Sequence, residues 1–320
     1  MILVTGATGF VGRAMVRRLL ADDPSRHFVV TVRRDSQLWT GRVLPRVTGD
    51  LEPFTDWSMA LADISAIVHC AARVHVTNDT AANPLEVFRR VNVQGTLNLA
   101  RQAAFAGVQR FVFVSSIKVN GEATRLGRPF TADDASAPQD AYGVSKTEAE
   151  QGLREIALQT GMEVVIIRPP LVYGAGVKAN FASMMRWLRS GVPLPLGIIH
   201  NQRSLVALDN LVDLIVTCLK HPAAANQTFL VSDGDDVSTS ELLRRMGRAM
   251  GRPAHLISVP ASLLKLAAAL VGKQDMAQRL CGSLQVDIEK TRRLLGWIPP
   301  LSLDQGLKHA AEGYRHEAGI

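Results

Sequence analysis

The first twelve residues confine the chain to a narrow set of folds. Ile2-Leu3-Val4-Thr5 reads as a short buried strand and runs directly into Gly6-Ala7-Thr8-Gly9-Phe10-Val11-Gly12. Beyond it, Ala14, Met15, Val16, Leu19 and Leu20 form an apolar face at helical spacing. Strand, glycine turn and helix in that order let a backbone turn tightly against a pyrophosphate and offer it free helix N–H groups. Glycine also serves any tight strand-to-helix turn, and the spacing is Gly-x-x-Gly-x-x-Gly rather than Gly-x-Gly-x-x-Gly. Its place at the first strand of an α/β pattern makes a dinucleotide the expected ligand.

The pattern continues down the chain. A second strand over 27–32 ends in Arg33-Arg34-Asp35. Sites for NAD usually carry an acidic residue there for the ribose 2′-hydroxyl. An arginine pair instead suits a 2′-phosphate, through charge-assisted bonds. NADP(H) is therefore the favoured cofactor, with NAD(H) left open; Arg13 is a second candidate for the phosphate, and Asp35 comes late for a ribose ligand. Asp50 and Leu51 follow a third apolar stretch, where a carboxylate could accept from an adenine amino group. A strand over 66–70 runs into Ala71-Ala72, small enough for a cofactor to lie close. A helix over 84–106 carries Asn92, and a buried strand from Arg110 ends in Ser115-Ser116. Strand ends of this kind form the crevice in which open parallel sheets bind ligands. The expected fold is α/β: a doubly wound, Rossmann-type parallel sheet over 1–170, carrying the chemistry. A smaller mixed α/β lobe over 171–320, partly interleaved with the first, would face the substrate, because prolines break the alternation after Pro169-Pro170.

Tyr142-Gly143-Val144-Ser145-Lys146 holds the chemically telling pair. Four residues apart on a helix, Tyr142 and Lys146 share a face. A tyrosine acting near neutrality must lose about 3 units from a pKa near ~10, roughly 4 kcal/mol. One positive charge about 4 Å away, at an effective dielectric near 20, supplies on the order of that amount. A surface pair placed by chance has the same spacing, so the pair gains meaning only with the glycine turn upstream.

Composition narrows the partners. The 320 residues are 47% hydrophobic and 20% charged, with a formal charge of +7, the balance of an ordered globular chain. The basic residues are scattered, without a run of five, so no nucleic-acid arm is expected. Cys70, Cys218 and Cys281 stand far apart, without disulfide or zinc spacing, and a reducing cytoplasm is the simplest setting. His69 and His75 lack metal-ligand spacing, so no metal site is expected. No targeting segment or stable membrane insertion is expected either. The apolar stretch over 261–271 spans only roughly 16 Å as a helix, too short for a bilayer, and reads as a helix packed on the protein body, with a dimer or membrane-surface contact as the alternative.

Taken together, the chain resembles the extended short-chain dehydrogenase/reductases, the NAD(P)-dependent nucleotide-sugar epimerase/dehydratase family. The matching residues are Gly6-x-x-Gly9-x-x-Gly12, Asp50, His69-Cys70-Ala71-Ala72, Asn92-Val93-x-Gly95-Thr96, Ser115-Ser116, Tyr142-x-x-x-Lys146, Arg168-Pro169 and Leu295-Gly296-Trp297-x-Pro299. The resemblance implies that Tyr142 exchanges a proton with a sugar oxygen, Lys146 lowers its pKa and bonds the nicotinamide ribose, and Ser116 orients the oxygen. It also implies a cofactor cradle of Gly6, Thr8, Gly9, Phe10, Val11, Gly12, Arg33, Arg34, Asp50, Leu51, Ala71, Ala72, Asn92, Lys146 and Pro169, with Ser115 beside it. For the substrate it implies Arg73, Lys118, Asn180, Arg203 and, more loosely, Arg279, with Lys178 near the phosphates.

The family's dehydratases carry Thr-Asp-Glu after this strand, where this chain has Ser116-Ile117-Lys118, so dehydration is not expected. The expected activity is an oxidoreduction at C4 of a nucleotide-diphosphate sugar, a UDP-sugar first. Arg33-Arg34 favours reduction of a UDP-4-keto-6-deoxy-hexosamine for surface polysaccharide such as O-antigen. The alternative is a UDP-glucose or UDP-N-acetylglucosamine 4-epimerase, and a redox-sensing, non-enzymatic dinucleotide binder is a distant third. Asn120 and Leu171 depart from the family's pattern at sugar-positioning places. Homodimers, often through the tyrosine helix, are common in the family.

Overall fold

The computed structural model describes residues 1–34, 38–39, 41–74, 83–177, 179–270, 272 and 274–317. The strands are β1 (Ile2–Thr5), β2 (Phe28–Val32), β3 (Val43–Val47), β4 (Ala66–His69), β5 (Arg110–Val114), β6 (Glu163–Arg168), β7 (Leu171–Tyr173), β8 (Leu205–Ala207) and β9 (Thr228–Leu230). Helices α1 (Phe10–Asp22), α2 (Ser58–Leu61), α3 (Pro84–Phe88), α4 (Thr96–Phe105), α5 (Ala141–Thr160) and α6 (Ala179–Ser190) belong to the first two-thirds of the order. They are followed by α7 (Leu208–Lys220), α8 (Thr239–Ala249), α9 (Ala261–Leu270), α10 (Gln274–Cys281), α11 (Glu289–Leu295) and α12 (Leu303–Glu317).

Seven strands form one sheet in the order β3-β2-β1-β4-β5-β6-β9, every pair parallel. Its strands are apolar on both faces because helices cover both. Alternation divides the work: Val4, Val30, Val68, Val112 and Val165 point to α1 and α7, while Leu3, Val29, Ile67, Phe111 and Val164 point to α2, α4 and α5. Pro45 sits in β3, an edge strand, where its missing N–H costs no ladder bond. The strand order reverses between β1 and β4, which opens the ligand crevice of such sheets at their carboxyl ends.

The chain beyond residue 170 does not stay apart from this sheet. β9 pairs with β6, and α7 packs against the same face as α1. A second core joins α6, α8 and α12 around β7 and β8, which form their own parallel pair. The helix expected over 84–106 is divided: Arg89–Gly95 is a π-helical turn between α3 and α4. Gly95 lies so close to Leu51 that a Cβ would stand 2.8 Å from the Leu51 carbonyl oxygen, and the widened turn turns Asn92 inward, a common use of such bulges.

The helix expected over 261–271 forms as α9 and packs on the body through Ala261 and Leu264, but it is covered on one side only. Its other side is open: Leu263 is 55%, Leu266 60% and Leu270 82% exposed. An apolar segment implies burial only when a neighbour covers it, and here the body covers one side alone.

Candidate active site

The glycine turn stands at the reversal point. Gly6 has φ +65°, and a Cβ there would lie 2.7 Å from the Ala71 nitrogen at the end of β4; at Gly12 it would lie 2.2 Å from the Gly6 oxygen. Gly9 is the residue before α1, with no side-chain cap and no acidic residue in the first turn. The first N–H groups of α1 are thus left without intrahelical partners, facing a cradle that any side chain would fill. These features fit a dinucleotide pyrophosphate, with Gly6, Thr8, Gly9, Phe10, Val11 and Gly12 as the residues that would hold it. Gly12→Ala is expected to lower stability by about 1–3 kcal/mol through overpacking. It should also abolish dinucleotide binding in calorimetry.

Behind the turn, Thr5, His69 and Thr96 form a buried chain: His69 Nδ1 is 2.7 Å from Thr5 Oγ1 and Nε2 is 3.0 Å from Thr96 Oγ1. Thr5 Oγ1 also accepts from the Ala71 N–H. Burial pushes the imidazole down to about 3, so His69 is a neutral strut fixing the Ala71-Ala72 loop. His75 lies outside the described residues, as do Asp35 and Lys178. At the rim, Arg33 and Arg34 are exposed, and Arg33 stands 3.7 Å from Asp50, itself exposed. The expected phosphate ligand and the expected adenine acceptor thus face each other. Arg13 reaches the Thr8 carbonyl at 3.4 Å.

α5 carries the reactive pair. Asp140 caps it, accepting from the Gly143 N–H at 2.7 Å. The N-terminal turn abuts the 3-10 turn Ile117–Val119, where a Cβ on Gly143 would stand 2.9 Å from the Lys118 carbonyl oxygen. Lys146 is buried, its Nζ donating to the Val114 carbonyl at 2.9 Å and lying 4.1 Å from the Phe113 ring centre. Val114 is two residues before Ser116, whose Oγ accepts from the Lys118 N–H. The half-buried Tyr142 ring meets Phe88 edge-on at 6.0 Å, and the Arg73 guanidinium lies over the Phe88 ring, 5.7 Å from its centre. The Ile117 N–H bonds the carbonyl of buried Pro169, which backs the serine turn.

The electrostatics correct a simple view of this pair. Burial, with Asp140 second, pushes the Tyr142 phenol up, and burial pushes Lys146 down to about 7. By itself, then, the chain does not ionise the tyrosine; desolvation and the Asp140 charge both favour the neutral phenol. Below about 7 Lys146 is charged in both the folded and unfolded chain and its burial penalty is complete. Between 7 and 10.5 the unfolded chain holds a proton that the folded chain has lost, so stability rises with pH. Lys146→Met should remove that rise, and denaturant titrations across the window should show wild type gaining stability relative to the variant as pH increases.

The surroundings of the pair are tightly wired. Asn92 Oδ1 accepts from the Arg73 N–H at 2.8 Å, and its Nδ2 donates to the Arg73 carbonyl and to Ser145 Oγ, both at 3.0 Å. Asn92 therefore ties the loop after β4 to α5. Ser115 turns away from the crevice, its Oγ donating to Glu150 Oε1 at 2.6 Å. Lys118, expected at the substrate, is ion-paired with Asp140 and with Glu122 at 3.0 Å. Asp140 and Glu150 have no place in the sequence reading. A helix-start Asp three residues before Gly143, and a Glu four residues beyond Lys146 on its face, are the signals that point to them.

In the second lobe, Arg203 Nη1 donates to the carbonyls of Arg279 at 2.8 Å and Gly282 at 3.1 Å. Burial pulls its pKa down, and among the described residues no carboxylate bonds it. A half-buried cation held only by carbonyls is suited to an anionic ligand. Arg279 contributes its carbonyl here while its side chain is exposed. The Asn180 side chain lies outside the described residues.

A family model described as "NAD dependent epimerase/dehydratase family" matches residues 2–232. The chain belongs to this family. It is 51% identical over 314 residues to the UDP-glucose 4-epimerase of Vibrio cholerae, across 98% of this chain and 95% of that one. A more distant relative is the N-acetyl-α-D-glucosaminyl-diphospho-ditrans,octacis-undecaprenol 4-epimerase of Escherichia coli O157:H7, 26% identical across 96% of this chain and 92% of that one. Among solved structures, MoeE5 in complex with UDP-glucuronic acid and NAD superposes with a TM-score of 0.78 at 25% identity, over 99% of both chains. The family member is an α/β enzyme with a dinucleotide-type sheet.

Proposed function

We propose that the chain is a 4-epimerase of a UDP-hexose or UDP-N-acetylhexosamine, working with NAD at the glycine turn. The observation that carries this reading is the 51% identity to the V. cholerae UDP-glucose 4-epimerase across almost the whole of both chains. NAD, when bound, supplies a hydride acceptor that can return what it takes, and a positive charge. Tyr142 is assigned the proton on the sugar 4-oxygen, taking it during oxidation and giving it back on reduction. Lys146, at about 7, is partly charged near neutrality and can favour the ionised phenol once the site holds a further cation. Ser116 is assigned to orient the same oxygen, since its hydroxyl stands on the turn that α5 abuts. Arg203 is assigned to the diphosphate, with Arg73 beside the Phe88–Tyr142 contact near the sugar.

A second reading, reduction of a UDP-4-keto-6-deoxy-hexosamine with NADPH, is favoured by one observation: Arg33-Arg34 closes β2 where an acidic residue would suit NAD. The nucleotide that copurifies separates the two. Tightly held NAD, released by acid and identified enzymatically, supports epimerisation; an empty or NADP-loaded site, with consumption of added NADPH by a UDP-4-keto sugar, supports reduction.

A further inference from the structure

α9 is apolar on two sides. Ala261 and Leu264 are half-buried and pack on the second lobe's core. Leu263, Leu266, Ala267 and Leu270 are exposed, and these positions are i, i+3, i+4 and i+7. Such positions lie on one helical face, so the exposure traces a stripe rather than isolated side chains. Ile257, four residues before the helix, is also 53% exposed. Single exposed leucines need no explanation, whereas an aligned row of them marks an interaction surface.

Charge selects the occupant. Residues 252–279 hold Arg252, Lys265, Lys273 and Arg279 against the single acid Asp275, in a chain of formal charge +7. A second copy would bring the same positive surplus to the stripe and be repelled. An anionic lipid surface would receive both features, leucines into the acyl boundary and the positive surplus, to which the exposed Arg252 and Arg279 belong, toward the headgroups. At ten residues α9 spans roughly 15 Å, and no helix of the described residues is long and apolar enough to cross a membrane. The fitting geometry is a helix lying on the bilayer.

We propose that the Leu263–Leu266–Leu270 face of α9 docks the protein on an anionic lipid bilayer, leaving the crevice of the main sheet to work at the membrane surface. The test is cosedimentation of the full chain with phosphatidylglycerol-containing vesicles and with phosphatidylcholine vesicles. Wild type should bind the anionic vesicles, less so at high salt. Leu270→Ser should weaken binding about tenfold, and the triple change L263S, L266S and L270S about a hundredfold or more. Turnover of a water-soluble UDP-sugar and the helical dichroism should stay unchanged. No binding of wild type, or equal binding of wild type and Leu270→Ser, would overturn the proposal. So would a wild-type dimer that the triple change converts to monomer without any vesicle binding, which would assign the face to a second copy.

Discussion

Tyr142→Phe is expected to lower turnover by about 10²–10⁴-fold, the contribution of a positioned proton donor and acceptor. The phenylalanine keeps the edge-on contact with Phe88 and removes only a hydroxyl. Thermal stability and dinucleotide affinity should therefore stay close to wild type. A loss confined to kcat separates this role from a packing role, which would lower stability together with activity. The effect should be larger than that of Ser116→Ala, because Ser116 orients the oxygen without accepting its proton. An undiminished kcat in Tyr142→Phe would move the proton transfer to another group, with Asp140, whose charge acts on the phenol, as the first candidate.

Glu150→Ala should cost about 3–5 kcal/mol of stability, the usual consequence of orphaning one member of a buried ion pair. Glu150 is 1% and Arg168 3% exposed in their side chains. Arg168 donates Nε to Oε1 at 2.9 Å and Nη2 to Oε2 at 2.6 Å, and Ser115 and Arg154 bond the same carboxylate. Without it, Arg168 retains Asn120 and Ser115 loses its acceptor. Glu150→Ala combined with Arg168→Met should lose less than the sum of the two single changes, since no charge is then left uncompensated. Urea unfolding of the four proteins gives the comparison. A single-variant loss below about 1 kcal/mol would show that water or a neighbour rescues Arg168, contrary to its burial.

The pair also explains two features of the sequence. Ser115 lies beside Ser116 yet serves a different end, anchoring the β5 terminus to α5 through Glu150. Asn120, where the family's pattern has tyrosine, accepts from Arg168 Nη1 at its Oδ1 and donates its Nδ2 to the Thr131 carbonyl. Its departure from the pattern is thus absorbed by the core rather than aimed at the sugar.

Local patterns make the main sheet and the reactive helix legible. Apolar runs such as Phe111-Val112-Phe113 are buried on both faces, and Gly6 and Gly12 occupy places that admit no Cβ, with Gly9 between them closely packed. Three parts depend on contacts between distant residues and escape such patterns. The π-helical turn at Arg89–Gly95 arises from Leu51 pressing on Gly95 and Asn92 reaching Arg73. β9 joins the sheet from beyond residue 170 because β6 offers a free edge, which no local spacing announces. The outward stripe of α9 reads in sequence like any buried helix, since composition records that leucines are present and not whether anything covers them. The charge state of Tyr142 is likewise a property of the assembled site: spacing places Lys146 on its face, while desolvation decides how far the lysine can act.

The most direct test is to supply UDP-glucose carrying deuterium at C4 and to analyse both nucleotide sugars at equilibrium. Interconversion with UDP-galactose, deuterium retained at C4 in both epimers, and no net absorbance change at 340 nm are the expected results. Failure to interconvert UDP-hexoses, with NADPH consumed when a UDP-4-keto sugar is added, would contradict epimerisation and assign the same Tyr142–Lys146 site to a reductase.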